Sequence, residues 1–453
     1  MNDRTPPRGT LGSARGTALY LGAILGPGVL ALPGLAARAA GPAALVAWVT
    51  LLVLSVPVAA TFAELAARRP DAGGVATFTR AAFGDRAAAV CGWWFFSVIP
   101  VGASSAALVG AAYIADAAGL GSAATTAIAA ALLAIAFAAN HIGLRLSGGA
   151  QLVLMGLLIA LLAVACVAAL PHFDPANLRP FAPHGIPGIL SAAAVLFYAF
   201  SGWEAASHLS GEFADPARQL RRVTALALLI VATVYLALAT ATAGALGGSA
   251  AESPVPLTDL LAYGFGPAAA PLTAVCAALL SLGAMNTFIA GASRLGAALA
   301  RDGAMPAPLA KGCEPGRTPH RSLAVLAVLT GTAFIAATWF GLGLDTQMRA
   351  TSAVLAAVTV LACAAAVRLL HGHARVRAVV ATACTAAIAT ALSWYLLLPL
   401  GIAVLAYLYL RAKRLPPRRT PARREAVPVS LQVSGSRRRG PRPTAHRSGQ
   451  AGR

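Results

Sequence analysis

Long apolar segments follow one another along almost the whole chain, separated only by short polar links, and this pattern constrains the fold more than any other feature. A helix needs roughly 17–25 predominantly apolar residues to cross the hydrocarbon of a bilayer. Twelve runs approach that length, approximately Thr17–Ala37, Ala43–Ala66, Ala87–Ile114, Ala123–Asn140, Gly149–Leu170, Gly188–Leu209, Val223–Leu246, Pro271–Gly291, Ser322–Phe340, Thr351–Leu370, Ala378–Leu392 and Trp394–Leu410. Backbone polar groups in lipid must be satisfied within the segment, which makes each run an α-helix. The chain reads as an all-α polytopic membrane protein with about twelve transmembrane helices. The last two runs are short, with a small break at Ser393 between them, so a re-entrant pair or one long span stays open. The first run follows an arginine-dotted start that could mimic a signal peptide, but eleven further runs favour its retention. Only 11% of the residues are charged and 58% are hydrophobic. Soluble domains carry about 25% charged residues, so no polar skin is available to cover a water-soluble core.

A formal charge of +20 suggests nucleic acid until it is located. Thirteen of the 35 Lys and Arg lie in Arg411–Arg453, and most of the others sit in the links. Basic residues collect in cytoplasmic loops. With the N-terminus inside, the inner links carry Arg68, Arg69, Arg80 and Arg86, then Arg145, then Arg218, Arg221 and Arg222, then Arg301, Lys311, Arg317 and Arg321, then Arg375 and Arg377. The outer links hold Arg38, Arg179 and Arg349. This alternation predicts a cell-membrane protein with both termini in the cytoplasm, in contact with the lipid bilayer and not with nucleic acid. From Leu415 the chain is rich in Pro, Arg, Ser and Gly, which predicts a disordered tail. That tail anchors topology, or holds anionic head groups.

A membrane-embedded enzyme would need a nucleophile or a metal set. The six Cys are scattered and never form a CxxC pair, so they read as small hydrophobes. The histidines lie mostly at run ends or in links, and His371-Gly372-His373 is a weak metal pattern. No HExxH, GxSxG or paired-acid motif occurs. No catalytic residue, metal or cofactor is predicted. An enzyme or a scaffold ranks lower because neither needs the interrupted helices described next.

In the first run, Leu25-Gly26-Pro27-Gly28 falls near the middle. Pro removes a backbone donor and crowds the preceding turn. In hydrocarbon, freed backbone groups are tolerated only where they are buried in protein or line a cavity. Taken alone this could be an ordinary proline kink. The sixth run, however, reads Phe197-Tyr198-Ala199-Phe200-Ser201-Gly202-Trp203-Glu204, with Ser201-Gly202 near its middle. Five spans of offset reverse its direction. Paired interruptions at corresponding places in two halves point to an inverted-repeat transporter with a midplane site. At the first break, open carbonyls are expected near Ala23, Ile24 and Leu25, and open amides near Gly28 and Val29. Carbonyls favour a cation and amides an anion. An α-amino acid, with ammonium and carboxylate one carbon apart, satisfies both.

No Lys or Arg falls at mid-membrane, and Arg294 lies near the inner end of span eight. That favours neutral side chains: leucine, isoleucine, valine and methionine. Span five, Gln151–Ala165, has no Lys. Glu204 is the one acid well inside a run. Such an acid costs roughly 2.5–3.5 kcal/mol on insertion scales and marks a functional site by default. At helical rise it would lie ~7 Å on the cytoplasmic side of the break. A structural hydrogen bond is the alternative role.

GAILGPGVLALPG at 22–34, PDAGGVATFTRAAFG at 70–84 and FYAFSGWEAASHLSGEFADPARQLRR at 197–222 resemble the amino acid–polyamine–organocation (APC) permeases. GWWFFSVIPVG at 92–102 and PANLRPFAP at 175–183 resemble the methionine/branched-chain amino-acid exporter branch, and RLGAALARDGAMP at 294–306 resembles the end of span eight across the superfamily. The resemblance implies a LeuT-type 5+5 inverted repeat with broken helices one and six. It implies a transporter domain over 16–411, with repeats at about 16–170 and 187–371 and two further helices, between tails at 1–15 and 412–453. It implies substrate-binding loops at Ile24, Gly26, Pro27 and Gly28, and at Tyr198, Ala199, Phe200, Ser201 and Gly202. Ser97, Val98 and Val101 of span three are further candidates, although plain packing suits them better. Many relatives carry Ser or Thr where this chain has Pro27, so a hydroxyl contact to the carboxylate is absent. Related permeases use an acid at the position of Glu204 in proton-linked gating, which implies a proton as coupling ion. Alternating access then exports neutral apolar amino acids. Uptake, or exchange with another specificity, is the alternative.

Overall fold

The computed structural model describes residues 12–68, 74–144, 148–200, 202–204, 213, 215–312 and 318–413. The tail from 414 and residues 1–11 lie outside the described residues, so the expectations for them stay as stated above. Regular structure among the described residues is helical. The first apolar run divides into α1 (Ser13–Ile24) and α2 (Gly28–Ala40). Gly41 turns the chain at φ +59°, a conformation that side chains resist, and α3 (Ala44–Arg68) is the second run. A short α4 (Gly74–Phe83) occupies the next link. Then come α5 (Asp85–Ala117), α6 (Ser122–His141) and α7 (Gly148–Ala169). The sixth run opens with α8 (Gly185–Leu196) and passes into a 3-10 turn, Phe197–Phe200. It is followed by α9 (Pro216–Ala241), a short α10 (Pro256–Phe265) and α11 (Ala269–Arg301). The chain continues through α12 (His320–Trp339), α13 (Leu344–Leu369), α14 (His373–Ala391) and α15 (Leu397–Ala412).

Ten stretches among the described residues are long and apolar enough to cross a membrane, with α2–α3 and α10–α11 each counting as one; Gly185–Phe200 adds a shorter apolar stretch. The last two runs form separate helices, with Ser393 at φ +50° in the turn between them.

The two halves of the chain repeat one order of lengths. The first opens with the divided α1–α2 and the second with α8 and its 3-10 turn; each then has a helix of 25 or 26 residues and a link helix of 10. Each continues with helices of 33 and 20 residues, then one of 22 or 26. Such a register is compatible with the expected 5+5 repeat.

Outward faces are apolar: Val53, Val153 and Val328 are 62%, 71% and 68% exposed. In water such a surface would aggregate, whereas lipid matches it. The chain is a multi-pass membrane protein. Inside, small residues let helices approach closely. A Cβ on Gly110 of α5 would stand 2.8 Å from Ser281 Oγ of α11. Polar ties are few and specific. Asn140 of α6 donates to Asn286 Oδ1 of α11 at 2.8 Å, and the Trp94 indole donates to the Pro399 carbonyl at 2.8 Å, joining α15 to α5.

Candidate functional site

The first break follows from Pro27. It removes the donor that would bond the Ala23 carbonyl, and the residue before a proline is pushed out of helical geometry. Leu25 leaves the helix at ψ +71°, and the Gly26 amide turns back onto the Ile24 carbonyl at 3.0 Å. Pro27, at φ −61°, precedes the first residue of α2, which restarts with Val29 N–H to Gly26 O at 3.3 Å and Leu30 N–H to Pro27 O at 3.1 Å.

In the sixth run, α8 passes at Leu196 into a 3-10 turn that ends at Phe200, directly before the expected Ser201-Gly202 break. Gly202 adopts φ +121°, open to glycine because it has no Cβ. Its amide donates to Glu204 Oε2 at 2.9 Å. Trp203 and Glu204 therefore lie in a turn, not on a half-helix, and the ~7 Å offset computed at helical rise does not apply. Ser201 and residues 205–212 lie outside the described residues.

Three tyrosines hold these loops. The Tyr20 hydroxyl of α1 donates to the Trp203 carbonyl at 3.0 Å. The Tyr198 hydroxyl is 3.3 Å from Ser105 Oγ of α5, and Ser105 itself donates to the Gly102 carbonyl at 2.9 Å. The Tyr235 hydroxyl of α9 lies 3.4 Å from the Ile24 carbonyl and 3.3 Å from the Ala199 carbonyl, so one donor is shared between the two breaks. The open carbonyl expected at Ile24 is therefore engaged by the Gly26 amide and by Tyr235.

Between the breaks and α5, α11 and α13 lies a cavity of about 140 Å³. It has room for on the order of ten water-sized groups, the scale of a free amino acid. Ile24, Gly26, Pro27, Gly28, Tyr198, Ala199, Gly202 and Glu204 all line it. Phe200 does not; it packs behind the loop against Trp48 and Tyr235, at ring distances of 5.9 and 5.6 Å. The two glycines differ. A Cβ on Gly26 would meet nothing within 4 Å, whereas one on Gly28 would stand 2.7 Å from the Tyr198 ring.

The opposite wall is Phe95, Val98, Ile99 and Gly102 of α5, Phe288 of α11, and Thr351 and Leu355 of α13. Of the three span-three candidates only Val98 lines the cavity. Extending from Val98 at helical spacing would have found the stripe 95, 98, 99, 102. No comparable signal marks Phe288, Thr351 or Tyr235. Glu204 is the one carboxylate among the lining residues, none of which is Lys, Arg or His. Arg294 is exposed on α11 and donates to the Ala290 carbonyl at 3.1 Å. Among the described residues, no group of three His, Cys, Asp or Glu could hold a metal.

A family model described as "Amino acid permease" matches residues 11–432. The uncharacterized amino acid permease YecA of Bacillus subtilis is 32% identical over 402 residues, covering 88% of this chain and 95% of that protein. The L-methionine/branched-chain amino acid exporter YjeH of Escherichia coli is 38% identical over 227 residues, covering 50% of this chain and 54% of the exporter. The branched-chain amino acid permease BcaP of Bacillus subtilis is 28% identical over 332 residues, 68% of this chain and 71% of that permease.

Proposed function

The chain belongs to the amino acid permease family of the APC superfamily, and on that premise we propose that it is a secondary active transporter that exports neutral apolar amino acids by proton-coupled alternating access. The observation that carries this is the cavity itself. Two interrupted helices meet at it, its far wall is apolar, and its one lining carboxylate is Glu204. The substrate carboxylate faces the amides at the start of α2, where the helix dipole favours an anion. The ammonium faces the carbonyls of Ile24 and Ala199, in competition with the Tyr235 hydroxyl. The side chain points to Val98, Ile99, Phe288 and Leu355, which offer no partner to a charged group. A substrate handled in this way is moved unchanged, so the protein is not an enzyme.

Glu204 serves as the proton site. Its carboxylate holds the Gly202 amide beside the substrate level, so protonation changes the acceptor that fixes the span-six loop. The matched helix lengths of the two halves support an inverted 5+5 repeat within 16–411, with both termini cytoplasmic. The likeness to an L-methionine/branched-chain exporter supports export.

Counterflow in proteoliposomes, with a panel of amino acids and with or without a pH gradient, tests this reading. Leucine and methionine should exchange and should outcompete arginine, lysine and glutamate. An advantage for arginine would overturn the neutral-substrate assignment. Accumulation against an imposed gradient in the uptake direction alone would overturn export.

A further inference from the structure

One end of the helical bundle carries unbalanced charge. Glu64, near the end of α3, is 7% exposed. Its Oε1 accepts from Arg68 Nε at 2.8 Å, and its Oε2 accepts from Arg221 Nη2 at 3.1 Å. Arg377 Nη2 stands 3.8 Å from that second oxygen. The three guanidiniums come from α3, α9 and α14, and their side chains are 49%, 68% and 51% exposed. One buried carboxylate thus faces three positive charges among the described residues.

A second charged cluster shows what helix ends need for structure alone. Arg80 pairs with Asp85 at 3.0 Å and approaches Asp302 at 3.9 Å, while Arg301 lies 3.5 Å from Asp302. There, among the described residues, two bases meet two acids. Among the described residues two charges remain in surplus at Glu64, and Arg218, Arg222 and Arg375 are exposed on the same helix ends.

The surplus sits where the apolar outer surface begins. Leu226 and Leu229 on α9 are 46% and 63% exposed, and Val376 and Val379 on α14 are 62% and 48% exposed. We propose that Arg68, Arg221 and Arg377 bind the phosphate of an anionic phospholipid whose acyl chains lie on the apolar faces of α9 and α14. Guanidinium forks match phosphate oxygens in pairs. Glu64 orients the forks beforehand, which lowers the ordering cost of binding. A soluble phosphate would meet the same donors but gain nothing from the apolar faces. That difference commits the site to lipid.

The test uses the full-length protein in detergent and reads thermal unfolding against added phosphatidylglycerol, phosphatidylcholine or inorganic phosphate. Phosphatidylglycerol should stabilise saturably, and the other two should not. Each arginine near an anionic membrane surface contributes about fivefold in affinity, so Arg221→Gln with Arg377→Gln should weaken the response about 25-fold. Arg221→Lys with Arg377→Lys should keep most of it. Glu64→Gln should weaken it, because the forks lose the carboxylate that orients them. If the double Gln variant shows no unfolding transition in phosphatidylcholine, Arg377→Gln alone replaces it, with about fivefold expected. Equal responses to the two lipids, a parent-like response in the Gln variant, or saturation by inorganic phosphate as tight as by phosphatidylglycerol would each overturn the proposal.

Discussion

Gly26 and Gly28 lie two residues apart in the first break and have opposite surroundings, which makes them a paired test of the cavity. A methyl on Gly28 would stand 2.7 Å from Tyr198 Cε1, where ordinary contact begins at 3.4 Å. The ring or the start of α2 must therefore give way by about 0.7 Å. Overpacking of this kind costs ~1–3 kcal/mol. Displacing the ring also endangers the 3.3 Å contact between Tyr198 and Ser105, worth another ~0.5–1.5 kcal/mol. Alanine's better helix propensity returns up to ~1 kcal/mol of this. A net loss near 2 kcal/mol, divided between folding and the bound state, should lower the unfolding temperature and weaken substrate about tenfold. Gly26→Leu acts differently. Its side chain enters open space, so the unfolding transition should stay near the parent's while KM rises sharply. Initial counterflow rates against leucine concentration, together with thermal unfolding of the same preparations, read both effects. Parent-like KM in both variants would show that the substrate does not occupy this cavity.

Glu204→Gln should fold and bind substrate but lose the pH dependence of transport; a pH–rate profile that overlays the parent's would leave the carboxylate a structural role, as in its bond to the Gly202 amide. Tyr235→Phe removes the donor shared by the Ile24 and Ala199 carbonyls, and should change substrate affinity by about tenfold or less while slowing turnover, measured as separate KM and maximal rate in counterflow. A reporter active only outside the cytoplasm, fused after Arg414, should stay silent; full activity there would require an odd number of spans and would break the repeat.

The membrane architecture was legible because lipid enforces it: runs long enough to span must close their own hydrogen bonds, and among the described residues each of the twelve runs is helical apart from the two breaks. The link helices α4 and α10 were not foreseen, since ten residues between spans carry no span-like signal. The first break was legible to within a residue because Pro27 acts locally through its missing amide and its ring. The second has no proline to mark it: α8 passes at Leu196 into a 3-10 turn that ends at Phe200, directly before the expected Ser201-Gly202, and Phe200 packs against Trp48 and Tyr235. Phe200 shows the same limit: its place in the motif suggested the cavity, but contacts with two distant aromatic residues turn it to the rear of the loop.

Tyr235 exposes the term missing from a purely local electrostatic argument. A broken helix does leave carbonyls without intrahelical donors, but a buried carbonyl cannot stay unpaired through the part of the cycle in which no substrate is present. The Gly26 amide already serves the Ile24 carbonyl, and the further donor that it shares with the Ala199 carbonyl has to be weak enough to yield to an ammonium. A neutral hydroxyl shared between two carbonyls at 3.3 and 3.4 Å meets that requirement, because its single proton satisfies neither fully. An ammonium brings three donors and a charge, and charge-assisted bonds are roughly twice as strong. On the proposed reading, exchange of hydroxyl for ammonium would favour the bound state while neither carbonyl loses its hydroxyl partner in the empty one. On the proposed reading, the break defines where an ammonium would bind, and a residue on a different helix, with no motif of its own, would determine how tightly.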